Sequence, residues 1–201
     1  MNVILNFVLY FLLFAVIHSV LASDYIKNKA KRFLGERFRF YRIIYTLISI
    51  PAFAPAFLVW IEYSGSTPHV YSIPQWAYPL IIMVKALALG IFAYASSQID
   101  IFDFIGLKQT HEKSILITKG AYGIVRHPLY SSGILLLITK MEMSQLDLIA
   151  VLCVSIYFLI GAYIEERRLL SIFGNEYRKY RQQVSMFIPV KWVNKQIAKI
   201  L

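Results

Sequence analysis

The chain has 201 residues, of which 58% are apolar, 15% aromatic and only 16% charged. A soluble domain carries about a quarter charged residues, so this balance argues against a water-soluble fold and for a chain embedded in lipid. The net charge of +10 would raise the question of nucleic acid in a soluble protein. Here the basic residues cluster in particular loops, where orientation and anionic headgroups account for them, so no nucleic-acid partner is expected. The single cysteine, Cys153, excludes an intrachain disulfide and a cysteine-paired zinc site, and reads as a small buried apolar residue.

A helix needs roughly 20 apolar residues to cross the hydrocarbon core. Residues 3–22 supply the first such run, broken only by Asn6, His18 and Ser19. It lacks a basic leader and a small-residue cleavage site, so it reads as a retained membrane helix. Residues 43–61 form the second run, with Pro51 and Pro55 expected to kink it. Residues 77–97 form the third and carry Lys85, which either snorkels outward or pairs within the bundle. Residues 129–142 form a fourth apolar stretch, too short to cross if straight and expected to start inside the protein. Residues 146–164 form the fifth. The expectation is an all-α integral membrane protein of about five transmembrane helices, a single membrane domain over residues 1–201.

The loops set a direction. Between the first two spans stand Lys27, Lys29, Lys31, Arg32, Arg37, Arg39 and Arg42 against only Asp24 and Glu36, whereas residues 63–76 contain no Lys or Arg. Positive loops stay in the cytoplasm, so the N-terminus is expected outside, with residues 100–127 and everything after Glu165 inside. Trp60, Tyr63, Tyr71, Trp76 and Tyr78 are then expected to form the outer aromatic belt. In the tail, Gly174 reads as a helix stop and Asn175 as the next cap. Residues 190–201 place Trp192, Val193, Ile197 and Ile200 near one face and Lys191, Lys195 and Lys199 towards another, which predicts a short helix on the inner membrane surface.

Two polar segments join spans directly to charged and aromatic residues. The first runs Lys119-Gly-Ala-Tyr122-Gly-Ile-Val-Arg126-His127-Pro128-Leu129-Tyr130. Pro128 suits the first turn of a helix, and the free N–H groups of such a start bind carboxylates or phosphates. The segment is either such a site or a basic connector lying on headgroups. The second runs Gly161-Ala-Tyr163-Ile-Glu165-Glu166-Arg167-Arg168. Adjacent carboxylates at the end of a span are costly unless solvated, paired or used. They lie about 100° apart on a helix, so only one can point inward. Pairing with Arg167 and Arg168 accounts for Glu166 better than for Glu165. His18 reads as a packed or interhelically hydrogen-bonded residue. No metal-ligand spacing, Gly-rich phosphate loop or Ser-nucleophile elbow occurs in the sequence, so no metal is expected.

Together these segments resemble the isoprenylcysteine carboxyl methyltransferase and phospholipid methyltransferase group. The matching residues are Gly120-Ala-Tyr122, Arg126-His127-Pro128-Leu129-Tyr130, Glu165-Glu166, Phe173-Gly174-Asn-Glu-Tyr177-Arg-Lys-Tyr180 and Val184-Ser-Met-Phe-Ile-Pro189. Upstream, His18-Ser19-Val-Leu-Ala22, Arg39-Phe-Tyr-Arg-Ile-Ile-Tyr45 and Phe102-Asp-Phe-Ile-Gly106-Leu-Lys-Gln109 resemble the branch that contains methanethiol S-methyltransferases and membrane proteins linked to nitrogen-oxide metabolism.

The resemblance implies S-adenosylmethionine as cofactor, in a cytoplasm-facing pocket over the fourth and fifth spans. By position, Tyr122, His127, Pro128, Leu129, Tyr130 and Glu165 would bind it, with Ser114, Ile115, Leu116 and Ile117 as an upstream strip. Glu165 and Arg126 are the candidates nearest the chemistry. The prenylcysteine enzymes carry an arginine four residues before the matching glutamate; Gly161 stands there in this chain, which argues for a small thiol or lipid-like acceptor over a prenylcysteine carboxylate. Membrane lipids are the other expected partner. Membrane sterol reductases carry a related C-terminal bundle on longer chains, and a non-catalytic membrane role is the remaining alternative.

Overall fold

The computed structural model describes residues 2–100 and 115–199. The upstream Phe102–Gln109 stretch and Ser114 lie outside them. The fold is all-α, and four of its helical segments are long and apolar enough to cross a membrane. The chain separates into two compact units.

The first unit comprises residues up to Ser72 together with Glu142–Cys153. Helix α1 spans Val3–Ala22; Asn2 caps it by accepting from the N–H groups of Ile4 and Leu5. Ser23 ends it and caps α2 (Asp24–Leu34), which has no buried residue. The basic loop is thus itself a helix. A 3-10 turn over Gly35–Phe40 leads into α3 (Tyr41–Tyr63), which stays helical through both Pro51 and Pro55. Aromatic packing joins α1 to α3, with Phe14 and Phe53 ring centroids 5.0 Å apart. His18 sits between the Tyr45 hydroxyl and Ser49, its Nδ1 3.1 Å from Ser49 Oγ. Polar groups at membrane depth need such partners, and the interhelical role expected for His18 is the one observed.

Two short strands were not anticipated. Strand β1 (His69–Ser72) pairs antiparallel with β2 (Glu142–Ser144). The stretch 63–76 is too short and too interrupted by turn residues for strand alternation to show. The second strand leads into α6 (Gln145–Phe173), whose start is locked reciprocally: Ser144 donates N–H and Oγ–H to Asp147 Oδ2, and Asp147 N–H donates to Ser144 Oγ. Trp60 donates its indole N–H to Asp147 Oδ1 at 2.8 Å. Trp60 therefore ties α3 to α6, while Trp76 stands 82% exposed.

The second unit comprises Ile73–Ile99, Glu112–Met141 and Val154–Leu201. Helix α4 (Tyr78–Ser97) is followed, beyond the undescribed stretch, by a 3-10 turn at Gly120–Gly123. Gly120 has φ +61°, and a Cβ there would strike the Gln98 side chain, which accepts from Ala121 N–H at 3.1 Å. Glycine is therefore required for both conformation and space. Helix α5 covers only Pro128–Ile138. The run over 129–142 is thus not one helix: Thr139 ends α5, and Glu142 already belongs to β2.

Helix α6 runs past Ile164 to Phe173. Its 29 residues give about 43 Å of length, more than the apolar core needs. The paired glutamates therefore sit inside a helix rather than at its end. Gly174 (φ +52°) turns the chain into α7 (Asn175–Gln183), and α8 covers Val190–Ile197. Tyr177, Tyr180 and Val184 form a small core with Leu116, Leu169, Leu170 and Phe173.

Within that core the Tyr177 hydroxyl is buried, with no hydrogen-bond partner among the described residues. Burial, with a further push from the Glu166 carboxylate, raises its pKa to about 12. An orphaned hydroxyl costs roughly 1–3 kcal/mol. Tyr177→Phe is therefore expected to keep or raise the thermal midpoint of the detergent-purified protein; a drop of several degrees would show that the hydroxyl has a partner after all.

Candidate functional site

The site lies in the second unit, where the chain from Val125 to Tyr130 meets α6 and the tail. Val125 forms an isolated parallel bridge with Ser185. Arg126 N–H donates to Ser185 O at 2.8 Å, and His127 N–H to Met186 O at 3.1 Å. The tail therefore lies along this segment as a strand-like strap. Ser131 Oγ–H donates to Phe187 O at 2.9 Å, and the Phe187 ring packs 5.6 Å from His127. Pro128 begins α5 at a position where its missing N–H is not needed. Among the described residues no side chain caps that start.

Glu166, not Glu165, is the carboxylate turned inward. Its Oε1 accepts from Arg126 Nε at 2.7 Å and pairs with Arg126 Nη2 at 2.6 Å. His127 Nε2 lies 3.3 Å from the same oxygen, and Arg181 Nε 3.3 Å from Oε2. The side chains of Arg126 and Glu166 are 8% and 7% exposed. The partners expected in sequence, Arg167 and Arg168, play no part in this cluster. Arg167 instead lies over the Tyr163 ring at 4.6 Å and donates to its hydroxyl. The physical reason is burial: an inward carboxylate needs several donors, and among the described residues Arg126, His127 and Arg181 reach it.

Glu165 stays at the edge, its side chain 46% exposed. His127 Nδ1 is 3.7 Å from its Oε2, and the Tyr130 hydroxyl 3.5 Å from that same oxygen. His127 thus stands between the two glutamates. The Tyr130 ring is parallel to His127, with centroids 5.5 Å apart, and also stacks on Phe158 at 4.7 Å. Its orientation is fixed by these rings, and its hydroxyl is the part that addresses Glu165. Tyr122 belongs to the same neighbourhood: burial raises its phenol pKa, and the Glu165 charge raises it further. Tyr180 donates its hydroxyl to Tyr122 O at 2.7 Å, anchoring the turn.

Of the residues singled out in sequence, the structure brings Tyr122, Arg126, His127, Pro128, Tyr130 and Glu165 into one neighbourhood. Arg126 is fully engaged, since its Nη1 also donates to Arg181 O at 3.3 Å and to Val184 O. In the upstream strip, Ile115 is 78% exposed and Leu116 packs into the Tyr177 core. Sequence reasoning missed Arg181 and Phe158, and gave Phe187 only as part of the Val184–Pro189 match. Nothing in their spacing marks them, because each arrives from a different element.

Fold and site define an all-α membrane protein in which the C-terminal tail straps the Arg126–His127 segment beside α6. The chain belongs to the family described as NnrU protein, which matches residues 6–139. It is 31% identical over 185 residues to a protein named methanethiol S-methyltransferase from Pseudomonas sp., covering 88% of this chain and 70% of the relative. A protein of the same name from Crocosphaera subtropica is 31% identical over 191 residues, covering 88% of this chain and 71% of the relative. A protein-S-isoprenylcysteine O-methyltransferase from Tribolium castaneum is 39% identical over 82 residues, covering 37% of this chain and 28% of the relative. No solved structure matches the chain significantly.

The Glu166 cluster sets a stability prediction. Removing one partner of a buried pair costs roughly 3–5 kcal/mol. Glu166→Ala is expected to lower the thermal midpoint far more than Arg181→Ala, whose side chain is 46% exposed. Equal, small shifts in the two variants would remove Glu166 as the organiser.

Proposed function

We propose that this protein is an integral membrane methyltransferase that uses S-adenosylmethionine and methylates a small thiol. The observation that carries the reading is the half-exposed Glu165 carboxylate, set against His127 and Tyr130 beside an uncapped helix start. The names of the relatives support the same reading.

The residues present suit that cofactor. When bound, it supplies an electrophilic methyl group on a sulfonium. A carboxylate and aromatic rings favour a cation, at about 0.5–2 kcal/mol for each ring contact. Tyr122 and Tyr130 supply the rings and Glu165 the charge. The Leu129 and Tyr130 N–H groups at the start of α5 suit a carboxylate. His127 is held by Glu166, its backbone by Met186, and its ring by Phe187, so its position is set before any ligand arrives. Arg126 acts as a positioning residue, because its donors are taken by Glu166 and by tail carbonyls.

Methyl transfer needs a nucleophile in line at near-attack distance and little else from the protein. The thiolate is the better nucleophile, and a half-exposed Glu165 has the route to water that carrying away a thiol proton requires. Gly161 stands one turn before Glu165 on the same helix, and a Cβ built there meets no atom within 4 Å. Space without a cation at that position favours a small uncharged acceptor over a carboxylate. The basic first loop and tail, against a loop free of Lys and Arg, favour an outside N-terminus and a cytoplasmic site.

Purified protein is expected to transfer label from S-adenosylmethionine to methanethiol, faster as pH rises from about 6.5 to 8.5 because more thiol ionises. Farnesylcysteine analogues should accept little. Glu165→Gln and His127→Ala should each weaken S-adenosylmethionine binding in calorimetry by at least about tenfold. Binding of NADPH and not of S-adenosylmethionine would sink the assignment in favour of a reductase.

A further inference from the structure

The tail carries a second, differently charged concavity. A groove of about 460 Å³ lies between α7 and α8, lined by Glu176, Lys179, Gln183, Trp192, Lys195 and Lys199. Lys195 lies on α8, Lys199 in the turn that follows it, and Lys179 on α7. A fourth lysine, Lys191, is already committed: its Nζ donates to Arg181 O at 2.9 Å and to Gln182 O at 3.0 Å. Among the described residues, no carboxylate lies within ion-pair distance of the other three ammonium groups. Trp192 lines the groove with these lysines, whereas Val190, Val193 and Ile197 form the apolar arc on the other side of α8.

Three like charges converging on one concavity repel one another, and an anion between them removes that repulsion. Lysine binds phosphate as a point charge, and the Gln183 and Gln196 amides add neutral donors. The groove is unsuited to the proposed cofactor, whose sulfonium and amine these lysines would repel. We propose that the groove between α7 and α8 is a binding site for a phosphate-bearing anion, held by Lys179, Lys195 and Lys199. Two sources share this chemistry, an anionic phospholipid headgroup and a soluble phosphate ester.

The test uses the full chain in dodecyl maltoside. Retained phosphatidylglycerol is counted by native mass spectrometry, and glycerol 1-phosphate and inorganic phosphate are titrated by calorimetry. Lys179→Gln/Lys195→Gln/Lys199→Gln is compared with Lys27→Gln/Lys29→Gln/Lys31→Gln, which loses the same charge from α2. The wild type should bind, the tail variant at least about tenfold more weakly, and the α2 variant within about twofold of wild type. Removing the carboxylate of the lining, Glu176→Gln, should tighten binding by about threefold. Phosphatidylglycerol binding alone identifies a headgroup; binding of the soluble esters as well identifies a soluble ligand. Absence of binding to every probe by the wild type, or equal loss in the two triple variants, overturns the site. Should the tail variant unfold, an unchanged affinity in Glu176→Gln overturns it instead.

Discussion

A carboxylate that leaves water must be met by donors, and the second unit is arranged around meeting one. Glu166 draws Arg126 and His127 from the segment before α5 and Arg181 from α7. Arg126 then reaches on to the carbonyls of Arg181 and Val184 where α7 ends. Three stretches of chain distant in sequence are thus fixed by one side chain and its first partner. The strand-like contact of Ser185 and Met186 with Arg126 and His127 continues the same linkage through the backbone. A buried pair of this kind contributes little net stability compared with apolar packing, but breaking it leaves a stranded charge. Its effect is to fix where the tail goes.

That arrangement explains why two adjacent, identical residues have opposite surroundings. Consecutive positions on a helix differ by about 100°, so satisfying Glu166 inside leaves Glu165 facing the rim. The rim position makes Glu165 available: it keeps water on one side and has His127 and Tyr130 on the other. His127 is the shared element, one ring nitrogen towards each carboxylate. The proposed donor site therefore depends on a carboxylate that does not itself meet the ligand.

Much of this was legible in the sequence, and the gaps have physical causes. Long apolar runs identified α1, α3, α4 and α6 because burial in lipid demands length and composition together. Pro128 marked a helix start, and His18 an interhelical contact. Which glutamate points inward was not legible, since the answer depends on the azimuth of α6 relative to residues 40 positions away. Arg181 sits among other polar residues on α7 and carries no local mark. Trp192 falls with the lysines of α8 rather than with Val193 and Ile197, because a residue one position before Val193 is turned about 100° from it. The strands β1 and β2, short and far apart in sequence, have too few residues for alternation to be recognised.

The tail is one element with two electrostatic faces. Towards residues 125–131 it presents neutral groups, the Ser185, Met186 and Phe187 backbone and the Phe187 ring, beside a site whose free charge is the Glu165 carboxylate. Towards the groove it presents lysines. On the two proposals, a cation and a phosphate anion go to different surfaces by charge alone. Tyr180 is common to both: it lines the groove, and its hydroxyl holds the carbonyl of Tyr122 at 2.7 Å. Burial, the Tyr177 and Tyr122 phenols and the Glu166 carboxylate raise its pKa against the lowering by Arg126, so it remains a donor throughout the physiological range. The turn that presents Tyr122 to Glu165 is therefore anchored from the groove side, and the geometry of the proposed cofactor corner is set in part by how α7 is packed.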